Sequence, residues 1–186
     1  MSTEDRVRWD GIFKKWVTQP YPQPDPFLLQ FTPIVPADEK RRALDLCSGL
    51  GQNGVWLAEQ GYSADLMDIS RVGLQRASQE VTARNVRNIN LLRIDVDFLQ
   101  LENETYNLIC VFRYLRRSLF PVIQRGVKRG GRVIYETFNK HYLRLVPEFN
   151  PEFLLETGEL KSYFEGWQIL HEEELDHHSR IVAIKP

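Results

Sequence analysis

Two periods of apolar spacing alternate along this chain. Short apolar runs recur near residues 43 to 47, 62 to 67, 89 to 94, 107 to 112 and 132 to 135, and each reads as a strand. Between them the spacing becomes helical. The segment 52–60 stops at Gly61, 70–84 opens on the capping hydroxyl of Ser70 and stops at Asn85, and 119–128 stops at Gly130 and Gly131. Strands alternating with helices predict parallel pairing through right-handed crossovers, hence an open sheet with helices on both faces. The end of the chain departs from this, because 167–175 and 180–184 are strand-like and only Asp176, His177, His178 and Ser179 separate them. So short a link demands an antiparallel hairpin. The pattern therefore predicts a doubly wound α/β fold with a mostly parallel seven-stranded sheet that closes in an antiparallel hairpin.

Upstream, Val7, Ile12, Phe13, Trp16 and Val17 recur at helical spacing and predict an amphipathic helix, either a lid or a cover for the core. Six prolines between Pro20 and Pro36 then exclude a long helix or a central strand and predict a surface loop with one helical turn. Residues 1–40 thus read as a helix and a Pro-rich cover segment, and 41–186 as the main domain. At 186 residues, with 42% hydrophobic and 26% charged side chains, the chain has the size and composition of one globular domain. A formal net charge of −1 gives no bulk attraction to nucleic acid. Cys47 and Cys110 sit in apolar runs, and the four histidines have no ligand spacing with them, so neither a disulfide framework nor a metal site is predicted. His177 and His178 read as exposed turn residues. No run approaches the ~18 apolar residues of a membrane span, and the N-terminus is charged where a signal peptide is apolar. The expectation is a cytoplasmic protein without a membrane or nucleic-acid partner, acting on a small molecule.

The candidate chemistry begins where Ala43-Leu44-Asp45-Leu46-Cys47-Ser48-Gly49-Leu50-Gly51-Gln52-Asn53-Gly54 leads from a strand through a glycine turn into a helix. Gly49 and Gly51 permit positive φ and let backbone approach a ligand. The same residues satisfy G-x-G-x-x-G, so a nicotinamide-dependent oxidoreductase is one reading of the turn. Asp45 stands near the end of an apolar strand, where a bare carboxylate is costly. Either a cationic ligand group offsets that cost, or Asp45 caps the glycine turn through backbone amides. Nineteen residues after Gly49, Asp68 closes the second strand with Ile69 behind it, the spacing at which a carboxylate accepts both ribose hydroxyls of a nucleoside. Asp65 competes for this role, but it is mid-strand and reads as exposed. Asp95 ends the third strand before Val96 and is placed to accept an adenine amino group or to form an ordinary strand-end turn.

These motifs resemble those of class I S-adenosylmethionine-dependent methyltransferases. ALDLCSGLGQN is similar to the family's first motif, LMDIS to its second, IDVD to its third, YNLICVF to its fourth strand and KRGGRVIYETF to its glycine turn and fifth strand. Within the family the chain is most similar to the small branch with a tellurite-resistance-type core, on RYLRRSLF from Arg113, ETF from Glu136 and NPEFLLETGEL, read as a helix, from Asn150. The resemblance implies a Rossmann-like fold and S-adenosyl-L-methionine as cofactor, held by Asp45, Gly49, Gly51, Asp68, Ile69, Asp95 and Val96. Trp9 and Phe13, in a W-D-x-x-aromatic segment, would close over it. Cys47 takes the first of three alternating glycine positions of the family's fullest motif and reads as core packing.

The turn after the fourth strand lacks the acid-or-Asn, Pro, Pro, aromatic tetrad of amine-directed nucleic-acid methyltransferases. Arg113 and Arg116 are instead placed to clamp an anion by bidentate hydrogen bonds, beside Tyr114, or else are solvated at a helix start, which is the reading taken for Arg117. Glu136 orients the substrate or pairs with Arg113 or Arg116. A small, anionic acceptor follows, with a non-catalytic S-adenosylmethionine sensor as the alternative from another class.

Overall fold

A computed structural model describes residues 3–186. They form two compact units, 3–100 and 101–186. In the first lie α1 (Thr3–Lys14), α2 (Pro26–Phe31), β1 (Arg42–Leu46), α3 (Gln52–Glu59), β2 (Ser63–Asp68), α4 (Arg71–Ala83) and β3 (Ile89–Arg93). The second holds β4 (Tyr106–Phe112), α5 (Phe120–Gly126), β5 (Val127–Phe138), α6 (Glu159–Ser162), β6 (Gln168–Glu174) and β7 (His178–Ile184). The strands follow the order β3-β2-β1-β4-β5-β7-β6 in a seven-stranded sheet.

In the first unit β2 pairs in parallel with both β1 and β3, which brings Asp45 beside Leu66 and Asp68 beside Arg93. Leu44, Leu46, Ala64 and Leu66 are fully buried, as are Val55 and Leu57 of α3 and Ala77 of α4. The helix ends are those the sequence marks. Ser70 Oγ accepts the Gly73 amide at 3.1 Å, and Asn85 leaves α4 at φ 52°, a left-handed conformation that Asn tolerates. In the second unit β4 and β5 are parallel, while β7 runs antiparallel to β5 and β6. The hairpin turn is 175–177 rather than 176–179, because His178 already pairs with Phe138.

Four expectations change. The helix predicted over 119–128 ends at Gly126, and the fifth strand starts early, at Val127, with a register break before Arg132. NPEFLLETGEL is not one helix: Pro151–Phe153 is a 3-10 turn, Leu155 bridges to Asn139, and α6 starts only after Gly158 at φ 76°. Asp65, expected on the surface, is 2% exposed. Its carboxylate takes Arg42 Nη2 at 2.6 Å and Asn90 Nδ2 at 2.7 Å, from the strands on either side of β2. The N-terminal apolar stripe is also redrawn, for α1 stops at Lys14 and leaves Val7, Trp16 and Val17 exposed. The face that packs is Trp9, Asp10 and Phe13, one helical turn long, set against the start of α4. The Pro-rich stretch is a loop with one short helix, α2, as expected.

Candidate functional site

The glycine turn is held from three sides within the first unit. Asp45, 2% exposed at the end of β1, accepts the Gly54 amide on Oδ2 at 2.8 Å. Asp68 divides its oxygens, Oδ2 to the Gly49 amide at 2.8 Å and Oδ1 to the Ser70 amide at 2.7 Å. Tyr21 Oη donates to the Leu50 carbonyl at 2.9 Å. Gly51 caps α3 at φ 80°, and a Cβ there would stand 2.7 Å from Leu66 Cδ2, so only glycine lets the turn lie this close to the sheet. Two polar atoms of the same turn, Ser48 Oγ and Gln52 Oε1, are buried without a hydrogen-bond partner among the described residues. Buried polar atoms are normally satisfied, so two orphans in one glycine turn fit a site completed by a polar ligand.

Electrostatics sets the two acids apart. Burial pushes the Asp68 carboxyl up to about 6, against the pull of the Ser70, Gly49 and Ile69 amides, and the nearby Asp10 adds to the rise. Burial also acts to raise Asp10, but hydrogen bonds from the Ser70 hydroxyl and the Val72 and Arg71 amides outweigh it, leaving Asp10 below the usual carboxylate value. Asp10 Oδ1 takes Ser70 Oγ at 2.6 Å and the Val72 amide at 3.2 Å. This anchors α1, and on it Trp9 stacks on Phe13 with ring centroids 5.8 Å apart. The Phe13 ring lies directly over Gly49, 3.1 Å from where a Cβ would be. The helix therefore covers the glycine turn. Asp10 and Tyr21 are the residues that sequence reasoning missed. Asp10 was visible as the acid of the W-D-x-x-aromatic segment, whereas Tyr21 sits in the Pro-rich loop with no pattern to mark it.

Other predicted residues are placed as follows. Ile69 is 7% exposed, and its carbonyl accepts Arg93 Nε at 3.3 Å. Val96 is buried in a 3-10 turn that Asp95 caps, with Asp95 Oδ1 accepting the Asp97 amide at 3.0 Å. Cys47 lies just past β1 at φ 58° and is half-buried, so it is not a strand core residue; it adopts a left-handed backbone of the kind glycine favours. Burial and the charges of Asp68 and Asp45 push its thiol well above the ordinary value, which makes it a poor nucleophile.

In the second unit, Arg113 follows β4 at φ 56°, exposed, with its amide donated to the Glu136 carbonyl at 2.8 Å. The Tyr114 carbonyl accepts Tyr135 Oη at 2.8 Å, and Arg116 precedes the 3-10 turn 117–119 half-buried. Glu136 is 7% exposed, and Arg180 Nε of β7 stands 3.8 Å from its Oε2. Arg180 also meets Glu173 at 3.1 Å. Arg117, expected to be solvated, instead forks onto Glu159 at 2.7 and 2.9 Å and donates to the carbonyls of Glu152 and Leu154. It holds the 151–155 segment in place. His178, expected in an open turn, is half-buried against Phe138.

Comparison with known proteins agrees with this geometry. Residues 43–131 match the methyltransferase domain family. No curated protein matches the chain. Among solved structures it is similar to an S-adenosylmethionine-dependent methyltransferase from Mesorhizobium loti, with 20% identity over 86% of this chain and 96% of that one and a TM-score of 0.70. It is also similar to TehB from Haemophilus influenzae, with 17% identity, 96% and 67% coverage and a TM-score of 0.74. A third is geranyl diphosphate C-methyltransferase from Streptomyces coelicolor, with 12% identity, 96% and 98% coverage and a TM-score of 0.73. The domain match favours the methyltransferase reading of the glycine turn over the oxidoreductase reading. Among the described residues no helix is long and apolar enough to cross a membrane.

Proposed function

We propose that this chain, a methyltransferase by its matched domain and with the fold of S-adenosylmethionine-dependent enzymes, moves a methyl group to a small anionic acceptor. The cofactor supplies an electrophilic methyl group on a sulfonium. Asp68 would take the ribose hydroxyls on lone pairs not used by Gly49 and Ser70. Asp45 would set its buried negative charge near the cationic amino acid portion. Asp95 and Val96 would border the base, and Trp9 would cover it together with the Phe13 lid. Ser48 Oγ and Gln52 Oε1 supply the remaining polar contacts.

The acceptor class rests on one observation. Arg113 is a non-glycine residue held at φ 56°, a conformation that costs an L-residue roughly 1–2 kcal/mol. Strain of this kind clusters at functional sites. An exposed guanidinium in that position, with Arg116 three residues on, suits a carboxylate, phosphate or oxyanion. Geranyl diphosphate, named with one structural neighbour, shows that the fold admits an anionic acceptor in that protein.

Tritium transfer from methyl-labelled S-adenosylmethionine into a metabolite extract, followed by anion exchange, identifies the acceptor. The decisive variant is Arg113→Gly, because glycine is comfortable at the observed φ and the fold is kept. The acceptor KM should rise about tenfold or more with cofactor affinity unchanged. Unaltered kinetics would return Arg113 to the surface, and lost cofactor affinity would assign it to the cofactor's carboxylate.

A further inference from the structure

The Pro-rich loop sets one aromatic ring against the glycine turn. Tyr21 Oη donates to the Leu50 carbonyl at 2.9 Å and lies 3.7 Å from where a Cβ would be at Gly51. The guanidinium groups of Arg76 in α4 and Arg84 at its end stand over the ring, 5.0 and 5.3 Å from its centroid. Glu80 holds both in place, Oε1 taking Arg76 Nη1 at 2.5 Å and Oε2 taking Arg84 Nε at 3.2 Å. Further along the loop, the Asp25 amide donates to the buried Asn53 side chain at 2.8 Å, and Phe27 and Leu28 of α2 are buried. These contacts dock the loop whether or not residue 21 carries a hydroxyl.

A phenylalanine would keep every ring contact, so the hydroxyl is explained by what it bonds. Burial, then the charges of Asp45 and Glu80, push the phenol well above its ordinary value against the pull of Arg84 and Arg76, so it stays a donor throughout the physiological range. The carbonyl it serves lies between Gly49 and Gly51. Asp45, whose charge reaches the phenol, holds the same turn through the Gly54 amide, while Asp68 grips the other end at the Gly49 amide. The turn thus has two supports within the first unit. Asp68 stands on the side proposed for the ribose, and Asp45 with Tyr21 on the side proposed for the amino acid portion of the cofactor.

We infer that Tyr21 is a positioning residue that, through the Leu50 carbonyl, fixes the part of the glycine turn that receives the amino acid portion of S-adenosylmethionine. It acts through the backbone and need not touch the cofactor. Without the hydroxyl, the carbonyl of a buried residue loses this donor, and the turn relaxes at Leu50 while Gly49 stays tied to Asp68. This rests on the placement of Asp45 beside the amino acid portion, made above, and adds a residue to it.

The test titrates the full chain by calorimetry with two probes, S-adenosylhomocysteine and methylthioadenosine, which share the adenosine and differ in the amino acid portion. Tyr21→Phe keeps the ring and should weaken S-adenosylhomocysteine about fivefold, as for the loss of one hydrogen bond, with methylthioadenosine unchanged to within about twofold. A side chain that merely supported the fold would move both probes together or neither, and either result overturns the inference. Two further variants separate it from the reading it rests on. Asp45→Asn should also spare methylthioadenosine, whereas Asp68→Asn should weaken both probes, since both carry the ribose. Were Asp45→Asn to weaken both alike while Tyr21→Phe remained selective, the placement of Asp45 would fail and the role of Tyr21 would stand. Were Asp45→Asn selective and Tyr21→Phe not, the role of Tyr21 alone would fail.

Discussion

Asp68→Asn separates what the site costs the fold from what it gives to binding. The carboxyl is 6% exposed, and burial raises it from the ordinary 3.8 to about 6 even though three backbone amides favour its charged form. An acid held at a higher pKa in the folded than in the unfolded chain loses stability as pH rises from about 4 through about 6. At about 1.36 kcal/mol per pKa unit, the ionised group costs about 3 kcal/mol at pH 7 and above. Asn approximates the protonated carboxyl, with one acceptor kept and the second amide facing a donor. The variant should therefore match the wild type to within about 0.5 kcal/mol at pH 4 and exceed it by about 2 to 3 kcal/mol at pH 8. Urea unfolding of both proteins across that range, without ligand, reads the difference directly. Affinity for S-adenosylhomocysteine should move the other way, falling by about 1.5 to 3 kcal/mol, the range for hydrogen bonds to a charged group. A variant that is less stable than wild type at pH 8 would refute the reasoning, since the Gly49 and Ser70 bonds would then outweigh burial. Unchanged affinity in the folded variant would mean that another acid holds the ribose.

Two further outcomes follow from local geometry. Cys47→Gly removes left-handed strain worth about 1–2 kcal/mol and restores unfolded-state entropy worth about 0.4–1 kcal/mol, so thermal unfolding should show a net stabilisation of about 0.5 to 1 kcal/mol. Asp10→Ala removes the acceptor for Ser70 Oγ and the Val72 amide; cleavage within residues 3–14 by a protease should quicken several fold and cofactor affinity should fall, and an unchanged cleavage rate would show that α1 is held by Phe13 alone.

The sheet was legible because its signals are local. Apolar runs, the Ser70 cap and Asn85 each act within a few residues, and the structure keeps them with most boundaries moved by one or two positions, the early start of β5 at Val127 being the larger shift. Side-chain partnership was less legible, because it is made by residues distant in sequence. Asp65 reads as exposed from its own strand, yet Arg42 and Asn90 come from two neighbouring strands to neutralise it. Arg117 reads as solvated, yet its carboxylate partner lies 42 residues on. His178 reads as a turn residue because its ring neighbour Phe138 belongs to β5, forty residues earlier. The acids of the glycine turn were found because their spacing is fixed by the strand lengths. The helix that covers them was found only in part, since Trp16 and Val17 completed an apolar stripe that the fold does not use.

Cys47 and Arg113 share a position that links fold to function. Each is the residue immediately after a strand, Leu46 ending β1 and Phe112 ending β4, and each turns at φ near 57°. At both places the chain leaves a buried strand and reverses at once, so the backbone conformation is imposed by the sheet and not by the residue. Glycine would satisfy it without strain. Where a bulkier residue persists, its side chain or its loss of unfolded-state freedom must offset the strain. Losing freedom is worth at most about 1 kcal/mol, which nearly covers a small residue such as Cys47, whose thiol is held protonated and inert. Relief of the left-handed strain alone predicts that Arg113→Gly makes the protein more stable by about 0.5 to 1 kcal/mol, read by thermal unfolding, and a variant less stable than the wild type would show that the contacts of the Arg113 side chain outweigh the strain.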